Sequence, residues 1–201
     1  MPAPYADLAV LKARHNYGRD DDRHDAALTS ALQAASAHIS ADTGRKFHLE
    51  NAVEARYFRA RPGGRWCDID DIAIDAIDSI AWGVAGQGGE FADLSHVVKH
   101  RVNGSGYTAR LEADGAFGFP VGRGCWVRVT PASDGHGWGW QEPPPAISEA
   151  TLLLASRLFK RRDSPESVIG FEGAGVGRLG NRDPDVAEMI KPWCRVSKWA
   201  P

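Results

Sequence analysis

The sequence predicts an α+β protein: a small helical bundle of two long helices and short terminal ones, an inserted, mostly antiparallel β region, and an extended C-terminal segment. Three observations carry this. Apolar residues recur at helical spacing near both ends of the chain. Short β-branched and aromatic segments separated by glycine turns fill the middle. A glycine-rich stretch and a second Pro-led helix close the sequence.

A short helix is expected from about Tyr5 to Arg14, and the polar run Asn16 to Arg23, with Gly18 and three aspartates, reads as a turn. A longer helix follows from about Asp22 to Asp42. Leu28, Leu32, Ala35 and Ile39 stand four, three and four residues apart and so share one face. Asp22 and Asp25 suit its N-terminus, and Gly44 sits where a helix-ending glycine belongs.

After Phe47, strands are expected at Val53 to Phe58, Ala76 to Trp82, Val97 to Val102, Tyr107 to Leu111 and Cys125 to Thr130, which together predict one small sheet. Gly63-Gly64, Gly86 to Gly89, Asn103-Gly104 and Gly122 to Gly124 supply turns. Cys125 to Thr130 is the best strand, with Arg128 between two valines. A second long helix starts near Pro145, because proline is tolerated in a first turn, and Ile147, Thr151, Leu154 and Leu158 share a face that Leu152, Leu153 and Phe159 widen. So broad a stripe is expected to cover the first long helix and a further surface, a sheet or a neighbouring subunit. Lys160-Arg161-Arg162 suits its C-terminal dipole, and Pro165 stops it. Asp183-Pro184 then opens the last helix.

The chain of 201 residues fits one subunit: helical parts at about 5–45 and 145–163, a β insertion at about 51–140, and a glycine-rich tail with a short helix at about 164–201. A hydrophobic content of 43% with 25% charged residues belongs to a soluble globular chain. A net charge of −2 argues against a dedicated nucleic-acid binder. The three cysteines, Cys67, Cys125 and Cys194, are far apart and predict free thiols. The first residues lack the layout of a signal peptide, and no apolar run approaches the roughly 20 residues a membrane span needs, so the expected site of synthesis is a cytosol.

The order of Ala34 to Ile39 in a helix, Thr43-Gly44-Arg45-Lys46-Phe47, a β region ending in Val127-Arg128-Val129-Thr130 and Gly137-Trp138, the Pro-led helix, and Arg178 to Ile190 with Asp183-Pro184-Asp185-Val186 resembles the head-to-tail connector, or adaptor, proteins of long-tailed bacteriophages. The resemblance spans nearly the whole chain and departs from compact members in the long, tryptophan-containing region of about Asn51 to Trp140. It implies a structural protein of the virion neck, assembled in the host cytoplasm. Copies would form a ring, usually of twelve, under the portal protein, extend the DNA channel without sequence-specific binding, and present a surface to the next neck or tail protein. It implies no enzymatic activity, no cofactor, no metal and no membrane partner. Arg178, Val186, Ile190, Trp193 and Trp199 are the candidate partner-binding residues, in a terminal segment that reaches toward the portal or a neighbouring subunit. The stretch from about Ser164 to Gly180 is expected to order on assembly, since glycine-rich backbone loses much entropy when fixed.

Sharper chemical readings are weaker. Gly175-x-Gly177-x-x-Gly180 has the letters of a dinucleotide fingerprint without a surrounding βαβ unit. Asp68, Asp70, Asp71, Asp75 and Asp78 invite a calcium loop but lack its glycine and closing glutamate, and the interleaved isoleucines read as core between solvated carboxylates. His96 and His100, four apart on a strand, would stand about 13 Å apart, too far for one zinc. No phosphate-binding loop or nucleophile elbow occurs. Of the seven tryptophans, Trp66, Trp82 and Trp126 read as core, while Trp193 and Trp199 read as core or interface residues alike. Two alternatives remain from other classes: a β-rich ligand-binding module, for example for glycans, with helical flanks, and a metal-assisted hydrolase built on the Asp68 to Asp78 cluster.

Overall fold

The computed structural model describes residues 3–50, 53–84, 90–114, 118–119, 121–122, 124–132, 137–161 and 183–195. The chain divides into two compact units, one formed by Met1–Arg45 with Pro143–Pro201, the other by Lys46–Glu142. The class is α+β as expected, with helices in the first unit and two antiparallel sheets in the second.

In the helical unit, α1 spans Leu8–Arg14 and starts at Asp7, whose carboxylate accepts from the Ala9 amide at 2.8 Å. Helix α2 spans Asp25–Thr43, and Gly44 ends it in the left-handed region at φ +66°, where a Cβ is unfavourable. Helix α3 spans Pro145–Arg161, and α4 spans Pro184–Ile190. The apolar spacings do what they predict: Leu28, Leu32 and Ala35 of α2 pack with Leu11 of α1 and with Leu152, Ala155 and Phe159 of α3 in one core. Fully burying such side chains contributes about 1.5–3 kcal/mol each, so the apolar stripe and not helix propensity holds the unit together. Leu154 and Leu158 lie at the margin of that core, partly buried.

The β unit differs from the single sheet predicted. The strands are β1 Leu49–Glu50, β2 Arg56–Phe58, β3 Trp66–Ala73, β4 Ile77–Val84, β5 Phe91–Asp93, β6 Val97–Arg101, β7 Tyr107–Ala113, β8 Cys125–Pro131 and β9 Trp138–Gly139. One sheet runs β1-β9-β3-β7-β6 and the other β2-β8-β4-β5, and every pairing described is antiparallel. A single core takes Cys67, Ile69, Ile72 and Leu111 from the first sheet and Ile80, Val127 and Val129 from the second, with Trp138 fully buried among them. Alternation sets the outer faces: in β8, Val127 and Val129 are buried while Trp126, Arg128 and Thr130 are half-exposed. Trp126, expected in the core, therefore lies on an outer face.

Strand β3 is the largest departure from the sequence reading. Ile69, Ile72, Ile77 and Ile80 are buried as the interleaved pattern predicts, and Asp75 and Asp78 are exposed, but the carboxylates on β3 itself have partners. Asp68 accepts from Arg61 Nε at 2.6 Å and from Arg110 Nε at 2.9 Å, Asp70 accepts from Arg56 at 2.7 Å, and Asp71 is buried with its carboxylate on Trp140 Nε1 at 2.8 Å.

Candidate functional site

Two places carry the groups the sequence singles out: the C-terminal anchor of the helical unit and the outer faces of the β unit. In the anchor, Asp183 caps α4 by accepting from the Asp185 amide at 3.1 Å, with Pro184 in the first turn where a missing N–H costs nothing. Arg157 of α3 pairs with Asp183 and, at 3.1 Å, with Asp185. Val186 and Ile190 are buried at 5% and 4% exposure, so these two candidate partner residues face their own unit. Exposed ion pairs contribute about 0–1 kcal/mol, less than either buried side chain. Apolar packing therefore seats α4, and Arg157 sets its direction.

The chain then makes a 3-10 turn at Lys191–Trp193 and returns to the end of α2. Arg45 Nε donates to the Trp193 carbonyl at 2.6 Å, the Arg195 amide donates to the Thr43 carbonyl at 2.8 Å, and Cys194 Sγ lies 3.7 Å from the Asp42 carbonyl. The helix end leaves carbonyls without intrahelical donors, and the terminal segment supplies one. Trp193 is half-buried. Arg178 and Trp199, together with the Ser164 to Gly180 tail and the Gly175 to Gly180 fingerprint, lie outside the described residues.

On the β unit, arginine and carboxylate alternate over the first sheet. Glu50 bonds Arg56 and Lys46, and that pairing, Arg56 first, holds its carboxyl at about 2. Burial pushes the Asp68 carboxyl up, and the guanidinium bonds from Arg110 and Arg61 outweigh it, leaving the group below its ordinary value. Glu112 bonds Arg65 at 2.7 Å and His100 Nε2 at 2.7 Å, with the His100 ring 5.1 Å from Trp66. These bonds occupy both the His100 ring and the Asp68 carboxylate. Among the described residues no three His, Cys, Asp or Glu side chains gather as a metal site. Burial first, then Asp68, pushes the Cys67 thiol up to about 12, so it stays protonated and unreactive.

Two cavities of about 400 Å³ indent the β unit, one lined by Asp75, Arg101 and Tyr107, the other by Trp82, Asp93, His96 and Phe119. Among the described residues no helix is long and apolar enough to cross a membrane.

From the sequence, Trp138 and Trp140 read as loop residues with local core or an interface as their role, and Arg45 and Arg157 are given no role of their own. Among the described residues the two tryptophans are the largest fully buried side chains, and Trp138 Nε1 donates to the Glu54 carbonyl at 2.9 Å. A Trp-Gly-Trp at the end of a turn-rich region was the available signal.

No protein-family model matches the sequence, and no curated protein does. Solved structures do. The fold is similar to that of a chain in the neck of an empty GTA particle computed with C6 symmetry, with a TM-score of 0.52, 22% identity, and coverage of 98% of this chain and 94% of that one. A chain from the neck of a native GTA particle computed with C12 symmetry aligns over 100% of both chains at 22% identity, with a TM-score of 0.43. The likeness to the first of these, over 98% of this chain, is one of fold.

Proposed function

We propose that this chain is a structural adaptor of a phage-like virion neck, one subunit over its full length, which assembles as a closed ring of twelve copies under a portal protein. The ring extends the DNA channel, docks the next neck or tail protein, and catalyses no reaction. The observation that carries this reading is the fold likeness to a particle-neck chain over 98% of this chain and 94% of that one. A cyclic assembly fits the symmetry of that particle, and head-to-tail contacts between identical subunits close into a ring where the rotation closes.

The C-terminal anchor is the proposed partner surface. Val186 and Ile190 seat α4 on its own unit, which leaves half-buried Trp193 as the aromatic contact, joined by Arg178 and Trp199 from the flanking chain. The Trp193 carbonyl is held by Arg45, so the ring is presented on a fixed backbone.

Native mass spectrometry and multi-angle light scattering of the purified chain, alone and with a purified portal, test the reading. A ring is expected, at least when the portal is present. A chain that stays monomeric in both conditions and ignores the portal overturns it.

A further inference from the structure

On the outer face of the second sheet, two arginines differ from four others of the β unit, while Arg101 bonds the Ser105 carbonyl. Arg56, Arg61, Arg65 and Arg110 each bond a carboxylate. Arg59 and Arg128 do not: among the described residues neither makes an ion pair, and Arg128 Nε is buried without a hydrogen-bond partner. Each guanidinium lies over an aromatic ring, Arg59 Cζ at 4.6 Å from the centroid of Trp126 and Arg128 Cζ at 4.8 Å from that of Phe91.

The register explains why these groups gather. Tyr57 of β2 stands opposite Arg128 of β8, which stands opposite Ala81 of β4, while Gly83 is flanked by Trp126 and Phe91. Alternation then puts Tyr57, Arg128, Trp126 and Phe91 on one face, away from the core that Val127 and Val129 fill. Gly83 makes the close approach possible, since a Cβ there would meet the Glu90 carbonyl at 2.6 Å and the Phe91 ring at 3.0 Å. Tyr57 remains 51% exposed, its ring 5.7 Å from Phe91. The one carboxylate the register adds to this face, Asp93, is exposed on the edge strand and pairs with neither arginine.

A guanidinium stacked on a ring keeps its N–H edge free, loses little rotamer freedom on binding, and offers the planar fork that grips two phosphate oxygens. An exposed aromatic ring beside such forks, here Tyr57, is what a base or sugar stacks against. We propose that this face, centred on Arg59, Arg128 and Tyr57, binds the sugar–phosphate backbone of nucleic acid without reading its sequence. The site belongs to the single subunit and goes beyond the adaptor reading, on which it does not depend.

Fluorescence anisotropy of the full chain with labelled single-stranded and duplex DNA of about 20 nucleotides tests this. With two phosphates neutralised, affinity is expected to fall roughly sevenfold for the single strand and roughly twelvefold for the duplex between 50 and 200 mM salt. Preference for the single strand assigns the rings to stacking; equal binding assigns the contact to phosphates alone, and both support the site. The double variant Arg59→Gln, Arg128→Gln is expected to weaken binding at least tenfold, Arg59→Gln alone by less, and Arg23→Gln on the helical unit not at all. Arg59 is exposed, so the single variant keeps the test valid if the double one unfolds. Wild-type affinity in both variants, no binding at 50 mM salt, or displacement by polyglutamate at equal charge, which would mark an acidic protein as the partner, overturns the proposal.

Discussion

In the helical unit, residues from opposite ends of the chain meet: Leu28 and Leu32 of α2 pack with Leu152 and Phe159 of α3 in a core of aliphatic side chains and one phenyl ring. In the β unit, a continuous stretch, Lys46–Glu142, folds around Trp138 and carries guanidinium-carboxylate pairs on its first sheet. The first unit therefore depends on shape-matched apolar stripes, the second on large aromatic groups whose polar atoms are individually satisfied. The difference teaches where each unit is fragile. Losing volume harms both, and in the β unit the loss of a buried tryptophan also leaves the Glu54 carbonyl or the Asp71 carboxylate without its indole donor.

Trp138→Ala is expected to have the largest effect, about 3–5 kcal/mol, because it empties a fully buried site and leaves the Glu54 carbonyl without its indole donor. Denaturant unfolding followed by tryptophan fluorescence reads it, since Trp66, Trp82, Trp126, Trp138 and Trp140 all lie in this unit. Leu32→Ala is expected to cost about 2–5 kcal/mol in the helical unit, read by circular dichroism at the helix band. If the two probes shift equally for both variants, the units unfold together and the comparison fails.

Gly44→Ala is a smaller test, about 1–2 kcal/mol, since its φ of +66° disfavours any Cβ although the space beside it is open, with Arg195 side-chain atoms at 3.7 Å. The loss is expected in helix signal, with tryptophan fluorescence little changed. A neutral outcome would mean that the helix end relaxes and that the Thr43 to Arg195 bond does not hold it.

The same contrast explains what the sequence made legible. Helix α2 was readable from Leu28, Leu32, Ala35, Ile39 and Gly44 because both the stripe and its stop are local signals, and the start of α3 was readable from Pro145. Strand β8 was readable because Val127 and Val129 alternate with polar or amphipathic neighbours. Strand β3 was not, since Asp68, Asp70 and Asp71 look like a solvated run until Arg56, Arg61, Arg110 and Trp140 arrive from distant positions. The split into two sheets was hidden for the same reason: β3 pairs with β7 and β4 with β8, and no local pattern encodes a partner so far along the chain. In the anchor, Val186 and Ile190 were visible as apolar residues, but that they face inward depends on α3, and the role of Arg157 appears only once Asp183 and Asp185 stand beside it.

Acid separates the units most finely, because their titrating groups respond in different windows. Burial first, and then Lys160, lowers the pKa of His15 from its ordinary 6.5, and its ring packs against Phe159 at 5.2 Å. The unfolded chain thus takes up this proton before the folded one does, and the helical unit is expected to lose stability as pH falls below about 6.5. In the β unit, Glu50 drops from 4.5 to about 2 through its bonds to Arg56 and Lys46, so its contribution is present above 4.5 and lost as pH falls to about 2. Asp21 drops to about 2 as well, but its partner Arg23 is only two residues away, so the unfolded chain retains much of the same interaction. His15→Phe should flatten the upper window in the helix signal, and Glu50→Gln the lower one in tryptophan fluorescence, each by no more than about 1 kcal/mol for partly solvated groups. Thermal melts at intervals from pH 7 to 2 decide the matter: a lower window that survives Glu50→Gln would transfer the acid response of the β unit to Asp68, whose carboxyl two guanidinium groups hold in the same direction.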